Sequence, residues 1–172
     1  MTWIVRSSLE EDRAAILEVV RDAFSGDDRD GQEEVDIVAD TWSLDAAPHG
    51  LDLVAVEGAA VLGHVLGARG RLGGREAIGV APLAVTPSRQ HEGIGSALMT
   101  ELLRRAEDLG WPLVVLLGSP MYYERLGFEP ARPLGIVYVP VGAGNPHFQV
   151  HKLTRYDDSH RGEFNYCWEM PS

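Results

Sequence analysis

The sequence has almost none of the sulfur that cross-links chains or holds metals. Its 172 residues include a single cysteine, Cys167. One thiol cannot form an internal disulfide, and it leaves too few thiolates for a structural zinc site. His147, His151 and His160 lack the spacing of metal ligands beside acidic residues. We therefore expect no metal site, and we expect Cys167 to be a packed thiol.

Long hydrophobic runs are absent as well. No apolar stretch approaches the roughly 20 residues that a membrane-spanning helix needs. The first dozen residues contain Arg6, Glu10, Glu11 and Asp12, a charge pattern unlike that of a secretory signal. Together with the single cysteine, these features predict a cytoplasmic protein without a membrane partner.

Positive charge is scarce. One lysine and 14 arginines oppose 26 carboxylates, which gives a formal net charge of −11. Because nucleic-acid-binding proteins normally present a basic surface, we expect no nucleic-acid partner. An acidic protein attracts cationic ligands, whereas an anionic ligand needs a locally favourable site. Backbone amides, Arg89 and His91 are the candidates for such a site.

What remains is the composition of an ordinary globular protein, with 45% hydrophobic and 24% charged residues, and we expect a single domain over residues 1–172. Near the N-terminus, a short strand is predicted over 2–6. Ser7 and Ser8 each precede a glutamate by three residues, a capping-box pattern that predicts a helix start. A second helix is predicted over about 32–42.

The middle of the chain alternates as a sheet does. Strands are predicted over 51–57, 60–71 and 75–85, joined by glycine-containing turns and therefore antiparallel. Ala81-Pro82 inside the third of them predicts a bulge, since proline cannot complete a ladder. The unbroken apolar run 113–117 follows a helix and predicts a buried strand parallel to 75–85. Two closing strands are predicted over 147–153 and 163–170.

Residues 85–99 join the strand 75–85 to a helix that continues to Leu109. Gly93 and Gly95 open this helix, whose first amides have no partner within the helix and lie at its positive end. Glycines also allow another group to approach the backbone closely. The loop predicts an anion site suited to a diphosphate, although glycines used only for packing are an equally simple interpretation of the pattern alone.

The neighbouring residues favour the anion site. The sequence Gln90-x-x-Gly93-x-Gly95 after a strand resembles the acetyl-CoA-binding motif of the GNAT superfamily of N-acetyltransferases. Residues 122–130, Tyr-Tyr-Glu-Arg-Leu-Gly-Phe-Glu-Pro, resemble that family's Tyr-Glu-Lys-Leu-Gly-Phe signature, with arginine in place of lysine. The segment 116–128 also resembles a bacterial group of predicted GNAT acetyltransferases whose substrates are mostly unassigned.

The resemblance implies an α+β fold. Its central mixed, mostly antiparallel sheet would have about seven strands and about four flanking helices, and the fourth and fifth strands, 75–85 and 113–117, would splay apart. It also implies acetyl-CoA as co-substrate, with the loop amides on the pyrophosphate and the preceding strand on the pantetheine arm. The implied cofactor-binding residues are Leu83, Ala84, Val85, Gln90, His91, Glu92, Gly93, Ile94, Gly95 and Ser96.

Tyr123 matches the family tyrosine that donates a proton to the departing thiolate, so the resemblance implies that it is the catalytic acid. Tyr122 is expected to lie in the core or in a pocket wall. Several family members carry a basic glutamate in the middle of the fourth strand, where this sequence has Gly79. A lone strand histidine such as His64 is usually structural. We therefore assign no general base and expect deprotonation through water.

The first two helices of GNAT proteins border the acceptor. The acidic stretch formed by Asp27, Asp28, Asp30, Glu33, Glu34 and Asp36 therefore has two interpretations. It is a solvated surface, or it is a pocket wall that selects a cationic amine. The function expected is acetyl transfer to a primary amine, mainly of a small molecule, and a homodimer is expected by analogy. Acetylation of a protein amine and a non-catalytic acyl-CoA-binding module are the alternatives.

Overall fold

Two long antiparallel strands form the centre of the structure, a computed structural model that describes residues 2–170. The strands are β1 (Ile4–Ser7), β2 (Ser25–Gly26), β3 (Arg29–Asp30), β4 (Asp52–Glu57), β5 (Ala60–Leu72), β6 (Arg75–Val85), β7 (Leu113–Leu117), β8 (Glu129–Pro130), β9 (Ile136–Val137), β10 (Phe148–Lys152) and β11 (Gly162–Tyr166). The helices are α1 (Arg13–Phe24), α2 (Gln32–Ser43), α3 (Ile94–Asp108) and α4 (Pro120–Glu124).

The main sheet has the order β1-β4-β5-β6-β7-β10-β8, while β11 pairs with the end of β5 and with β9. Its neighbours are antiparallel except for β6 with β7 and β9 with β11. The predicted bulge is confirmed. Val65 pairs with Leu83 and Leu66 pairs with Ala81, so Pro82 stands outside the ladder. The α+β class and the mixed, mostly antiparallel sheet are confirmed as well.

Helices cover both faces of the sheet. On one face, Leu98 and Leu102 of α3 pack against Val65 and Ile78 in a fully buried core. On the other face, α1 and α2 cover a second core, and the C-terminal strands cover a third around Phe164. A strand that is apolar on both sides, such as β7, is what this three-layer arrangement requires. Among residues 2–170, no helix combines the length and the apolar composition needed to cross a bilayer.

Two local predictions were wrong. The capping box on Ser7 and Ser8 does not form, because the first turn starts at Glu10 and the Asp12 carboxylate accepts the Leu9 amide at 2.7 Å. Arg6 binds the same carboxylate at 2.7 Å, so an acid inside the turn replaces the serine cap. The last strand ends at Tyr166 rather than at residue 170, where a 3-10 turn over Cys167–Glu169 takes over. Cys167 is buried, as predicted.

His64 is fully buried beneath the first two helices. Its Nε2 atom lies 2.7 Å from Asp52 Oδ1, and the Trp42 indole donates to Asp52 Oδ2 at 2.8 Å. Burial alone would raise the pKa of the Asp52 carboxyl, but hydrogen bonds from His64, Trp42 and Ser8 hold this pKa below its ordinary value. His64 is therefore a structural residue here, and Asp52 is the acceptor that makes its burial tolerable.

We expect Asp52→Asn to lower the free energy of unfolding at pH 7 by about 1–3 kcal/mol, because a buried donor loses its acceptor. Since the folded-state pKa of Asp52 is lowered, its contribution is present above the unfolded-state pKa near 4 and is lost as the pH falls through the folded-state value. Urea unfolding between pH 3 and 7 measures both effects. Asp22→Asn, on the exposed surface of α1, should change stability by less than about 0.5 kcal/mol, and an equal loss in both variants would contradict this role.

Candidate active site

The site starts from a gap in the sheet. The parallel ladder between β6 and β7 contains only two pairs, Ile78 with Val114 and Gly79 with Val115. Beyond them, β6 continues to Val85 and β7 to Leu117 without pairing to each other. The predicted splay of these two strands is thus present, and it leaves backbone groups of the second half of β6 facing an open wedge.

Helix α3 begins at the mouth of this wedge. Its N-cap, Gly93, has φ +86°, and a Cβ built there would meet open space. The first intrahelical bond runs from the Ala97 amide to the Gly93 carbonyl at 3.0 Å, so the amides of residues 94–96 have no helical partner. Gly95 serves another purpose as well, since a Cβ at this position would lie 2.8 Å from the Tyr122 hydroxyl.

The two arginines that line this region, Arg89 in the loop and Arg125 just after α4, differ in whether they are already paired with carboxylates. Arg89 already binds two carboxylates, Glu92 at 2.8 Å and Glu57 at 3.1 Å, and these bonds raise the pKa of its guanidinium further. Arg125 instead lies over the ring of Tyr122, 5.0 Å from its centroid. The sequence indicated Arg89 and His91 as candidate side chains, whereas Arg125 also lines this region and has no carboxylate within ion-pair distance among residues 2–170.

These groups line a cavity of about 570 Å³, here called the coenzyme cavity. Eight of the ten expected cofactor-binding residues line it. Ala84 does not, because its side chain points into the core under α1 and α2, and Glu92 does not, because it binds Arg89. The lining residues that the motif did not indicate are Ala23, Phe24 and Arg125. Phe24 comes from the far end of α1, and nothing in the local sequence links it to this loop.

A second cavity of about 740 Å³ opens on the α2 side of the same gap, and we call it the lateral cavity. Phe24, Leu83, Tyr122 and Tyr123 line both cavities. Glu33 and Glu34 also line the lateral cavity, so part of the acidic stretch is a pocket wall. Asp27, Asp28 and Asp30 are exposed and, with Glu33 and Glu34, line a third and more open cavity of about 550 Å³, whereas Asp36 lies on the solvated surface.

Tyr123 is held rigidly between the two cavities. Its ring packs against Gly118, where a Cβ would collide with the ring, and stands edge-on to Phe128 with centroids 5.7 Å apart. Burial, with a smaller contribution from Tyr122, raises the pKa of the Tyr123 phenol above its ordinary value. The phenol is therefore protonated throughout the physiological pH range. Tyr122 lies in the pocket wall, as predicted, with its hydroxyl 3.2 Å from Ser96 Oγ.

The packing around Gly79 explains why the middle of β6 carries no glutamate at this position. A Cβ on Gly79 would collide with the ring of Tyr166 and would lie 2.9 Å from Phe164 Cζ. The two aromatic rings of β11 therefore occupy the space into which a longer side chain at this position would extend.

Among residues 2–170, no group of three or more His, Cys, Asp or Glu side chains is placed to hold a metal ion.

Comparisons with known proteins agree with this geometry. Residues 49–130 match the family model described as an acetyltransferase (GNAT) domain. A sequence relative, named uncharacterized N-acetyltransferase YjhQ from Escherichia coli K12, is 35% identical over 126 residues, which are 70% of this chain and 66% of YjhQ. Uncharacterized N-acetyltransferase YhbS from the same strain is 36% identical over 85 residues, about half the length of each protein.

Solved structures extend the likeness to nearly the whole chain. A GNAT family acetyltransferase from Brucella melitensis in complex with acetyl-CoA is 31% identical with a TM-score of 0.78, covering 95% of each chain. YhbS from E. coli in complex with CoA is 27% identical with a TM-score of 0.86, covering 96% of this chain and 90% of that one. The chain belongs to the GNAT family of N-acetyltransferases.

We expect Gly93→Ala to weaken acetyl-CoA binding at least about tenfold, equivalent to about 1.4 kcal/mol, because a methyl group would enter the space in front of the helix amides. Holding alanine at positive φ should also cost about 1–2 kcal/mol of stability. Gly58→Ala is the matched control, since Gly58 in the β4–β5 turn also has a positive φ, +58°, faces equally open space and lies outside the coenzyme cavity. Calorimetric titration should show unchanged affinity for the control. An equal loss in both variants would contradict the anion site.

Proposed function

We propose that the protein transfers the acetyl group of acetyl-CoA to a primary amine of a small molecule, by direct attack of the amine in a ternary complex. The observation that carries the proposal is the position of Tyr123, a half-buried and protonated phenol that lines both the coenzyme cavity and the lateral cavity. A group transferred from one cavity to the other would pass beside this hydroxyl.

The coenzyme cavity has the properties that acetyl-CoA requires. The free amides of residues 94–96 and the positive end of α3 suit a pyrophosphate. Arg125 adds a positive charge that has no carboxylate within ion-pair distance in the described part of the chain, residues 2–170. The unpaired backbone of β6 near Leu83 and Val85 suits the amide groups of a pantetheine arm, and an amide near Val85 suits the oxygen that becomes negative during transfer.

The reaction balances with these groups. A protonated amine loses one proton to water, its nitrogen forms a bond to the acetyl carbon, and the carbon–sulfur bond breaks. The nitrogen, positively charged after the attack, gives up its second proton to water. The thiolate takes the Tyr123 proton and the tyrosinate regains one from solvent, so that the net reaction releases one proton. An alkyl ammonium with a pKa near 10.4 costs about 4–5 kcal/mol to deprotonate at pH 7. Position 79 holds a glycine instead of a basic glutamate, because Tyr166 and Phe164 fill the space beside it. In our proposal water therefore carries this proton away.

Three finer points belong to the same proposal. The acceptor is a small molecule, the protein acts in the cytoplasm, and a homodimer is assumed by analogy with the family. A non-catalytic acyl-CoA-binding module is the second candidate, favoured by the absence of the strand glutamate. Thiol release with a panel of amines separates the two, because the binding module would bind acetyl-CoA and release no thiol.

We expect Tyr123→Phe to lower kcat by about 10²–10⁴-fold, the usual contribution of a placed acid, and to change acetyl-CoA affinity much less. Because the pKa of Tyr123 is raised, the ratio of wild-type to variant kcat should stay constant up to about pH 10. Steady-state rates of thiol release between pH 6 and 10 give this ratio. Tyr122→Phe removes the neighbouring hydroxyl, which contacts Ser96, and should affect coenzyme affinity rather than kcat. Turnover unaffected by Tyr123→Phe would rule out the assigned acid.

A further inference from the structure

The walls of the lateral cavity are largely apolar and aromatic. Ile37 of α2 and Val80 of β6 contribute aliphatic surface, and the aromatic lining residues are Phe24, Tyr122, Tyr123, Tyr138, Tyr166 and Trp168. Two of these phenols have partners within the protein for their hydroxyl groups. Tyr138 donates to Glu169 at 2.8 Å, and the Tyr166 hydroxyl lies 3.5 Å from the Val80 carbonyl. A ligand in the cavity therefore meets their rings, which favour an apolar or aromatic body.

The charge of the lateral cavity has one sign. Its ionised lining residues are Glu33 and Glu34, and no lysine or arginine among residues 2–170 lines it. An acceptor carboxylate or phosphate would enter without a lining counter-charge, next to Glu33 and to Glu34, whose charge Arg29 offsets in part. Such like-charge placement costs several kcal/mol. The cavity therefore selects against acceptors that carry an acidic group.

Glu34 is the more buried of the two acids that line the lateral cavity. Only 9% of its surface is exposed to solvent, and one of its carboxylate oxygens binds Arg29. The other, Oε2, is buried without a hydrogen-bond partner among residues 2–170. A buried carboxylate oxygen left unpaired is costly, and a cationic donor in the adjoining cavity would remove that cost. Asp36, two residues further along the same helix, is exposed and lies outside the cavity.

From these contacts we infer that the acceptor is a monoamine with an aromatic or branched apolar body and no acidic group, and that Glu34 binds its ammonium group before transfer. This inference rests on the proposed function and specifies its second substrate. An amino acid fails because its carboxylate finds no cation. A polyamine fails because its remaining ammonium groups would lose their hydration against the aromatic wall. Cation–π contacts offset only part of this desolvation cost.

The test compares acceptors that differ by one group. Thiol release is measured with 2-phenylethylamine, with L-phenylalanine, which adds a carboxylate, with n-butylamine, which lacks the ring, and with spermidine. We expect kcat/KM to be highest for 2-phenylethylamine, and about 100-fold or more above that for L-phenylalanine, the equivalent of about 2.7 kcal/mol. Equal or better use of L-phenylalanine or spermidine would overturn the inference while leaving acetyl transfer intact.

The residue assignment has its own variants. Glu34→Gln should raise KM for 2-phenylethylamine about 10- to 100-fold, the range for losing a hydrogen bond to a charged group. Acetyl-CoA affinity, measured by calorimetry, should not change. Asp36→Asn makes the same charge change on the same helix and should leave both quantities unaltered. An equal rise in KM in both variants would assign the effect to overall charge and overturn the role of Glu34.

The outcomes also separate the inference from the proposed function. If acetyl-CoA binds but none of the four amines releases thiol, acetyl transfer to small amines is itself contradicted. If Glu34→Gln does not fold, the wild-type panel still decides the acceptor class, because the carboxylate penalty requires no variant.

Discussion

The structure depends on how little of β6 pairs with β7. Two parallel pairs, at Ile78 and Gly79, hold the strands together, and the two strands then separate. Pro82 contributes to this separation, because its bulge changes the register of β6 against β5 at the level where pairing with β7 has ended. The separation creates both cavities and exposes the β6 backbone. The start of α3 and the ring of Tyr123 lie on the borders of the gap between the two strands. A continuous ladder would leave no site.

The electrostatic arrangement solves a conflict between the whole molecule and its ligand. A chain with a net charge of −11 repels a coenzyme that is itself anionic. In the proposed site this difficulty is met mainly by backbone amides and a helix terminus, which are neutral groups and add no net charge. Arg89 contributes less than its position indicates, because Glu57 and Glu92 already neutralise it. The lateral cavity keeps the acidic character of the rest of the surface, which suits a cation.

Much of the frame was predictable because local chemistry determines it. Proline placed the bulge, glycine turns placed the hairpins, and the range of β6 came directly from its apolar pattern. The coenzyme loop was predictable for the same reason, since its glycines and helix start are adjacent in sequence. The capping box failed because Asp12, inside the turn, competes successfully for the Leu9 amide. The lateral cavity could not be predicted from the sequence, because only the tertiary fold brings together its lining residues Phe24, Tyr138 and Trp168.

The packing around Gly79 has a consequence for how this lineage can change. Glutamate at that position would be compatible with the fold only if Tyr166 and Phe164 became smaller as well, because both rings fill the space beside it. Each of those smaller residues alone would open a hole beneath the sheet, and glutamate alone would disrupt the packing of β11. The three positions are therefore epistatic, and every single-step path from this packing to one with a carboxylate at position 79 passes through a less stable intermediate. Such a barrier tends to keep the two kinds of packing in separate branches of descent.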